Sequence, residues 1–405
     1  MGLTFGYAMI ISETALGRLS RKSPIGAFKH FTKSKFGAVG GWVNAIIPII
    51  IVPYYSVIGG WVLRYFVEYV KGNEQKLAQE TYFTEFISDA ASSEIFFLIF
   101  ATITILIIAL GVNAGVERLS KIMMPALLVL ALGIAIFSIT RPGAFAGVYY
   151  VFVPDFSKFS LMTVVAATGQ MFYSLSIAMG ILYTFGSYMK DHVDIEKSTY
   201  EVAIVDSVVA ILATLMIIPS VFAFSKGDVA GTLNAGPSLL FISLPKIFAD
   251  MAGGRIVGLL FFVMVLFAAM TSSIALLESA VSTFEDEFHL SRVPSSILMG
   301  IIMAGLGTLS AMGYNALAFI KPIGMQFLDF FDFLTNSVMM PIAALTTCIL
   351  LLKFTGTQIV IDEVKKSSSF WGTKIYIFTI KYLSPILLVV IFVSSILSAF
   401  GIITV

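Results

Sequence analysis

Four carboxylates interrupt apolar runs: Glu13 within 2–17, Asp206 within 200–224, Glu278 within 255–284 and Asp332 within 326–353. A carboxylate so placed must be held by hydrogen bonds or a cation, sit protonated, or lie at a wet rim. Thr271-Ser272-Ser273 follows the apolar run FFVMVLFAAM. Three hydroxyls together suit a hard cation, which takes oxygen ligands. Back-bonding of the same hydroxyls to the preceding helical turn is the plainer reading. A third cluster lies in the middle of 161–188, where Gly169-Gln170, Ser174, Ser176 and Gly180 break an apolar stretch. Small polar residues there either let helices pack closely or allow an unwound helix whose free backbone groups coordinate an ion or a carboxylate. Other chemistries lack their residues. Cys348 is the lone cysteine, no His/Cys cluster occurs, and no Gly-rich loop ends in Lys-Ser or Lys-Thr. Thiol, metal and nucleotide chemistry therefore have no carrier in the sequence, and no enzyme is expected.

The elements that position these residues follow from composition. Of 405 residues, 58% are hydrophobic and 12% charged; the mean hydropathy is +0.96. A soluble domain carries roughly a quarter of its residues charged, so the solvent implied is a bilayer. The net charge of +1 gives no reason to expect a nucleic-acid partner. Apolar stretches recur at 2–17, 38–70, 94–111, 120–139, 161–188, 200–224, 255–284, 294–312, 326–353 and 375–403. Each approaches the roughly 20 residues that cross a bilayer as helix. The segment 226–252 is apolar but broken by Gly231, Gly236, Pro237 and Pro245, and reads as a lid-like or re-entrant hairpin on the outer face.

Loop charge orients the thread. Arg18, Arg21, Lys22, Lys29, Lys33 and Lys35 fall in the first loop with no acid among them, which makes that loop cytoplasmic. Lys353, Lys365, Lys366 and Lys374 mark the last inner loop. Alternation then puts residue 1 outside, and a further span upstream is expected to restore a cytoplasmic start.

Several blocks carry a resemblance. SETALGR at 12–18, PYYSVIGGW at 53–61, GQMFYSLS at 169–176, GTLNAGPSLLFISLPKIF at 231–248, FAAMTSSIAL at 267–276 and FEDEFHLSR at 284–292 occur in one order. The order and the blocks resemble the bacterial branch of the neurotransmitter:sodium symporter family. The resemblance implies an all-α polytopic membrane protein with the inverted-repeat, leucine-transporter-like fold, of about ten transmembrane helices. These would be family helices two to eleven, in one domain over 1–405 that lacks the family's first helix.

What the resemblance implies for single residues is as follows. Tyr55 would meet a substrate carboxylate, and Ile51, Ser176, Met179, Ser272 and Leu276 would line the substrate pocket under an aromatic lid, Tyr173. Ser174, with Asp206 nearby, would belong to a first sodium site. Ala268, Thr271 and Ser272 would form half of a second. Glu13 would support the family's unwound first helix. Asp332 would be an outer-gate acid, and Asp286 and Tyr188 members of an inner gate. The implied function is sodium-coupled symport of a neutral, hydrophobic or aromatic amino acid across the cytoplasmic membrane, with Na+ as the coupling ion. A truncated, non-transporting membrane protein of the same fold stays open beside it.

Overall fold

The computed structural model describes residues 2–32, 35–224, 237–251 and 253–399. Most of the hairpin expected at 226–252 thus lies outside the described residues. The helices run in order: α1 (Tyr7–Ser20), α2 (Pro24–Phe31), α3 (Lys35–Lys71), α4 (Glu74–Leu77), α5 (Tyr82–Ser88) and α6 (Ala90–Ala109). Next come α7 (Gly115–Ile139), α8 (Ala144–Phe152), α9 (Leu161–Ser174), α10 (Ile181–Tyr188) and α11 (Ile195–Phe224). The last are α12 (Leu244–Asp250), α13 (Gly254–Phe288), α14 (Arg292–Met312), α15 (Phe327–Thr355), α16 (Gln358–Lys365) and α17 (Thr373–Ser398). Eight of these, α3, α6, α7, α11, α13, α14, α15 and α17, are long and apolar enough to span a bilayer.

The eight coincide with eight of the ten apolar stretches. The other two differ for local reasons. The stretch 2–17 yields only the 14-residue α1 behind a wide turn at Gly2–Gly6. The stretch 161–188 is not continuous: α9 stops at Ser174 and α10 begins at Ile181. With no water to satisfy open backbone at membrane depth, such a break survives only where protein groups or a cavity line it.

Helix α3 is the central pillar. Two-thirds (67%) of its apolar window is buried, against 17% for α11, which faces outward. It packs on α2, α6, α13, α14 and α15. Helix α1 packs on α10 without side chains between them. A Cβ on Gly17 would come within 2.2 Å of the Tyr183 carbonyl oxygen, and one on Gly186 within 2.4 Å of the Thr14 carbonyl oxygen. Beyond that contact Arg18 turns inward, fully buried, instead of joining the loop charges. Its guanidinium donates to the Glu363 carboxylate at 2.6 Å, to the Glu363 carbonyl at 2.7 Å and to the Val193 carbonyl at 2.7 Å.

The described part of the expected hairpin, 237–251, lies over α3. Phe241 stacks on Phe83 at 5.0 Å, and its carbonyl accepts from the Tyr65 hydroxyl at 2.7 Å. Lys246 bonds Glu80 across the same face and holds that carboxyl below its ordinary range.

Candidate functional site at the break between two helices

Residues 175–180 form the gap between α9 and α10, and their backbone explains the shape. Ser176 (φ 55°), Ala178 (φ 60°) and Gly180 (φ 71°) adopt left-handed conformations. Only glycine takes that region freely, so the two others are held there by their surroundings. One support is visible. The Ala178 amide donates to Glu13, 3.1 Å from one carboxylate oxygen and 3.3 Å from the other. Glu13 is wholly buried on α1. It therefore braces this break. A Cβ on Gly180 would meet Ser279 Oγ at 2.8 Å and the Asn44 carbonyl oxygen at 3.0 Å, so this position tolerates no side chain.

A cavity of ≈ 300 Å³ opens beside the break. Its walls include Tyr55 from α3, Tyr173 and Ser174 from the end of α9, Ser176 and Met179 from the break, and Thr271, Ser272 and Leu276 from α13. Eight residues singled out from the sequence thus surround one space. Met124, Ile181 and Ala275 complete the wall and were not singled out. Ala275 follows Thr271 by one helical turn, a spacing that could have found it. Nothing in the sequence marks Met124, an exposed residue of α7. The Tyr55 hydroxyl neighbours that of Ser272, so two of the wall's polar groups meet where α3 faces α13. Volume and lining fall at the small end of ligand sites, which are mostly apolar with a few convergent polar groups.

Other singled-out residues stand apart from this wall. Ile51 is fully enclosed within the helix packing, one turn before Tyr55, and does not line the cavity. Asp206 on α11 accepts from the Ser174 hydroxyl, which ties the end of α9 to α11. The Thr271 hydroxyl donates at 3.0 Å to the carbonyls of both Phe267 and Ala268, the back-bonded arrangement that the sequence also allowed.

Tyr173 also lines a second space of ≈ 310 Å³, together with Gln170, Asp332 and Asn336. It is a partition between the two. Asp332 accepts there from the Tyr54 hydroxyl at 3.1 Å and from the Asn336 amide at 2.6 Å. At the other end of the molecule the Tyr188 hydroxyl donates to Glu278 at 2.7 Å. Arg292 grips the same carboxylate with two nitrogens, one at 2.8 Å. Asp286 accepts from the Ser23 amide at 2.6 Å and lies 3.6 Å from the Lys22 ammonium. Sequence alone marked Glu278 only as an intramembrane charge; its partners lie 90 and 14 residues away in the chain.

Comparison with known proteins agrees with this geometry. The profile of the Sodium:neurotransmitter symporter family matches residues 81–402. A sodium-dependent transporter of Haemophilus influenzae is 30% identical over 97% of this chain and 88% of its own. One from Bacillus subtilis is 29% identical over 97% and 87%. The crystal structure of MhsT in complex with L-phenylalanine superposes with a TM-score of 0.86 at 32% identity, covering 96% of this chain and 88% of that one. The chain is a multi-pass membrane protein, a sodium-coupled transporter and not an enzyme. It belongs to the sodium:neurotransmitter symporter family.

Proposed function

We propose that residues 1–405 form one transport domain that carries a neutral, hydrophobic or aromatic amino acid together with sodium across the cytoplasmic membrane. The observation that carries the reading is the cavity at the helix break, whose wall combines the Tyr55 phenol and the Ser272 hydroxyl with the apolar side chains of Met179 and Leu276. An α-amino acid needs both. Its carboxylate takes hydrogen bonds from Tyr55 and from backbone amides freed at the break. Its side chain needs an apolar wall, and the unbranched thioether of Met179 adapts to several shapes. Tyr173 closes the cavity from the side of the second space. Sodium is placed by oxygen: Ser174 with Asp206 for one ion, and the Ala268 carbonyl with Thr271 and Ser272 for another. Thr271 already donates its proton to backbone carbonyls, which leaves its oxygen lone pairs free to face a cation. Each sodium entering contributes roughly 2.3 kcal/mol per 100 mV of membrane potential, besides its gradient. MhsT, whose structure holds L-phenylalanine, supports the choice of substrate class.

The test is uptake of labelled phenylalanine and leucine into proteoliposomes with an inward sodium gradient. Uptake should vanish when potassium replaces sodium, and should yield to competition by apolar but not by charged amino acids. Uptake indifferent to sodium, or inhibited equally by glutamate and lysine, would overturn the assignment.

A further inference from the structure

A third cavity, unconnected with the proposed transport site, lies between the first turns of α3 and the last turns of α15, with α2 as its floor. It measures ≈ 310 Å³, and Phe28, Val39, Gly40, Ile349, Leu350 and Lys353 are among its walls. Both spans end here on the side that carries the basic loops. The slot opens outward between helices: Val39 is 53% exposed, Ile349 46% and the adjoining Phe354 50%. Its interior offers hydrocarbon only. The two hydroxyls in the wall are already engaged, Thr32 donating to the Phe28 carbonyl at 2.7 Å and Thr346 to the Ala343 carbonyl at 2.7 Å. Among the described wall residues the charge is the exposed ammonium of Lys353 at the rim, and no carboxylate among the described residues pairs with it.

An apolar slot open to acyl chains, with a cation where the headgroups begin, is complementary to one kind of molecule. We propose that this cavity binds an anionic phospholipid of the inner leaflet, one acyl chain entering between α3 and α15 and the phosphate resting on Lys353. Basic pockets between spans on the cytoplasmic side hold such headgroups, and each lysine near the surface adds to anionic-lipid affinity. A soluble phosphate lacks the chain that fills the slot, and a peptide would find no free hydroxyl donor on its walls, since both hydroxyls already donate to backbone.

The test is lipid retention. The full chain is reconstituted in vesicles of equal parts phosphatidylglycerol and phosphatidylethanolamine, extracted in detergent, and its bound lipid counted by native mass spectrometry. The wild type should retain phosphatidylglycerol in preference. Lys353→Gln should lower that preference roughly five-fold, the equivalent of about 1 kcal/mol for one lysine. Val39→Trp, an exposed substitution that narrows the mouth, should lower retention of both lipids. Lys374→Gln, on the same side but away from the slot, should change nothing. The proposal fails if Lys353→Gln behaves as wild type, or if Lys374→Gln lowers the preference equally, which would mean diffuse surface charge. It fails too if glycerol phosphate displaces the lipid, or if retained lipid matches the vesicle composition.

Discussion

Replacing Glu13 by alanine removes the single acceptor seen for the Ala178 amide and leaves that N–H buried. An unsatisfied buried donor costs about 1–3 kcal/mol, a factor of roughly 5–150 in the equilibrium between the closed break and an opened one. Ser176 and Ala178 also hold left-handed backbone against their preference, so the bracing hydrogen bond opposes a standing tendency to rearrange. Hydrogen exchange followed by mass spectrometry reads this directly. Peptides covering 175–180 should exchange some 5–150-fold faster in Glu13→Ala, while the outer face at 237–251 stays as in wild type. Glu13→Gln keeps an oxygen of the same reach and should fall near the lower bound. Adding Ala178→Gly, which relieves the backbone at that position, should recover part of the protection lost. Unchanged exchange at 175–180 in Glu13→Ala would refute the bracing role. Uniform acceleration across the chain would show instead that Glu13 serves global stability.

Three further outcomes follow from the same geometry. Tyr55→Phe removes one charge-assisted hydrogen bond to a substrate carboxylate, about 1.5–3 kcal/mol, so binding of labelled phenylalanine should weaken roughly 10–150-fold with sodium dependence retained; equal affinity would remove Tyr55 from the site. Asp206 brings a carboxylate beside Ser174, so sodium-dependent uptake should persist when gluconate replaces chloride, and Asp206→Asn should raise the sodium concentration for half-maximal uptake; loss of wild-type uptake in gluconate refutes that role. Arg18→Gln strands part of a buried ion pair, which costs about 3–5 kcal/mol. Lys29→Gln breaks an exposed pair with Glu287, worth about 0–1 kcal/mol. Thermal unfolding in detergent should therefore separate the two variants clearly, and equal shifts would contradict the burial of Arg18.

Much of the architecture was legible because a bilayer accepts few solutions: a long apolar run must become a helix. The break in 161–188 was legible as polar and small residues at depth, but its place was not. Gly169 and Gln170, the start of that cluster, stay helical within α9, and the chain departs only after Ser174. The difference is tertiary, since Glu13 can reach Ala178 and nothing comparable was visible in sequence. Arg18 shows the reverse. In sequence it is one more cytoplasmic charge; in the fold it is sealed by Glu363, 345 residues away. Pairings across such separations leave no local pattern, which is also why the contact of Tyr188 with Glu278, 90 residues away, was not foreseen.

The contact of α1 with α10 has a mechanical consequence. Where backbone meets backbone at Gly17 and Gly186, no rotamer change can widen or narrow the gap, so the two helices tilt together or not at all. The non-helical stretch at 175–180 separates that rigid couple from α9, and it is the compliant joint. Eight residues of α10 extend about 12 Å, so a tilt of about 10° at the joint swings its far end by about 2 Å. The couple is a lever whose fulcrum adjoins the cavity, and a small adjustment of backbone around a ligand there is amplified at the end where Tyr188 holds Glu278.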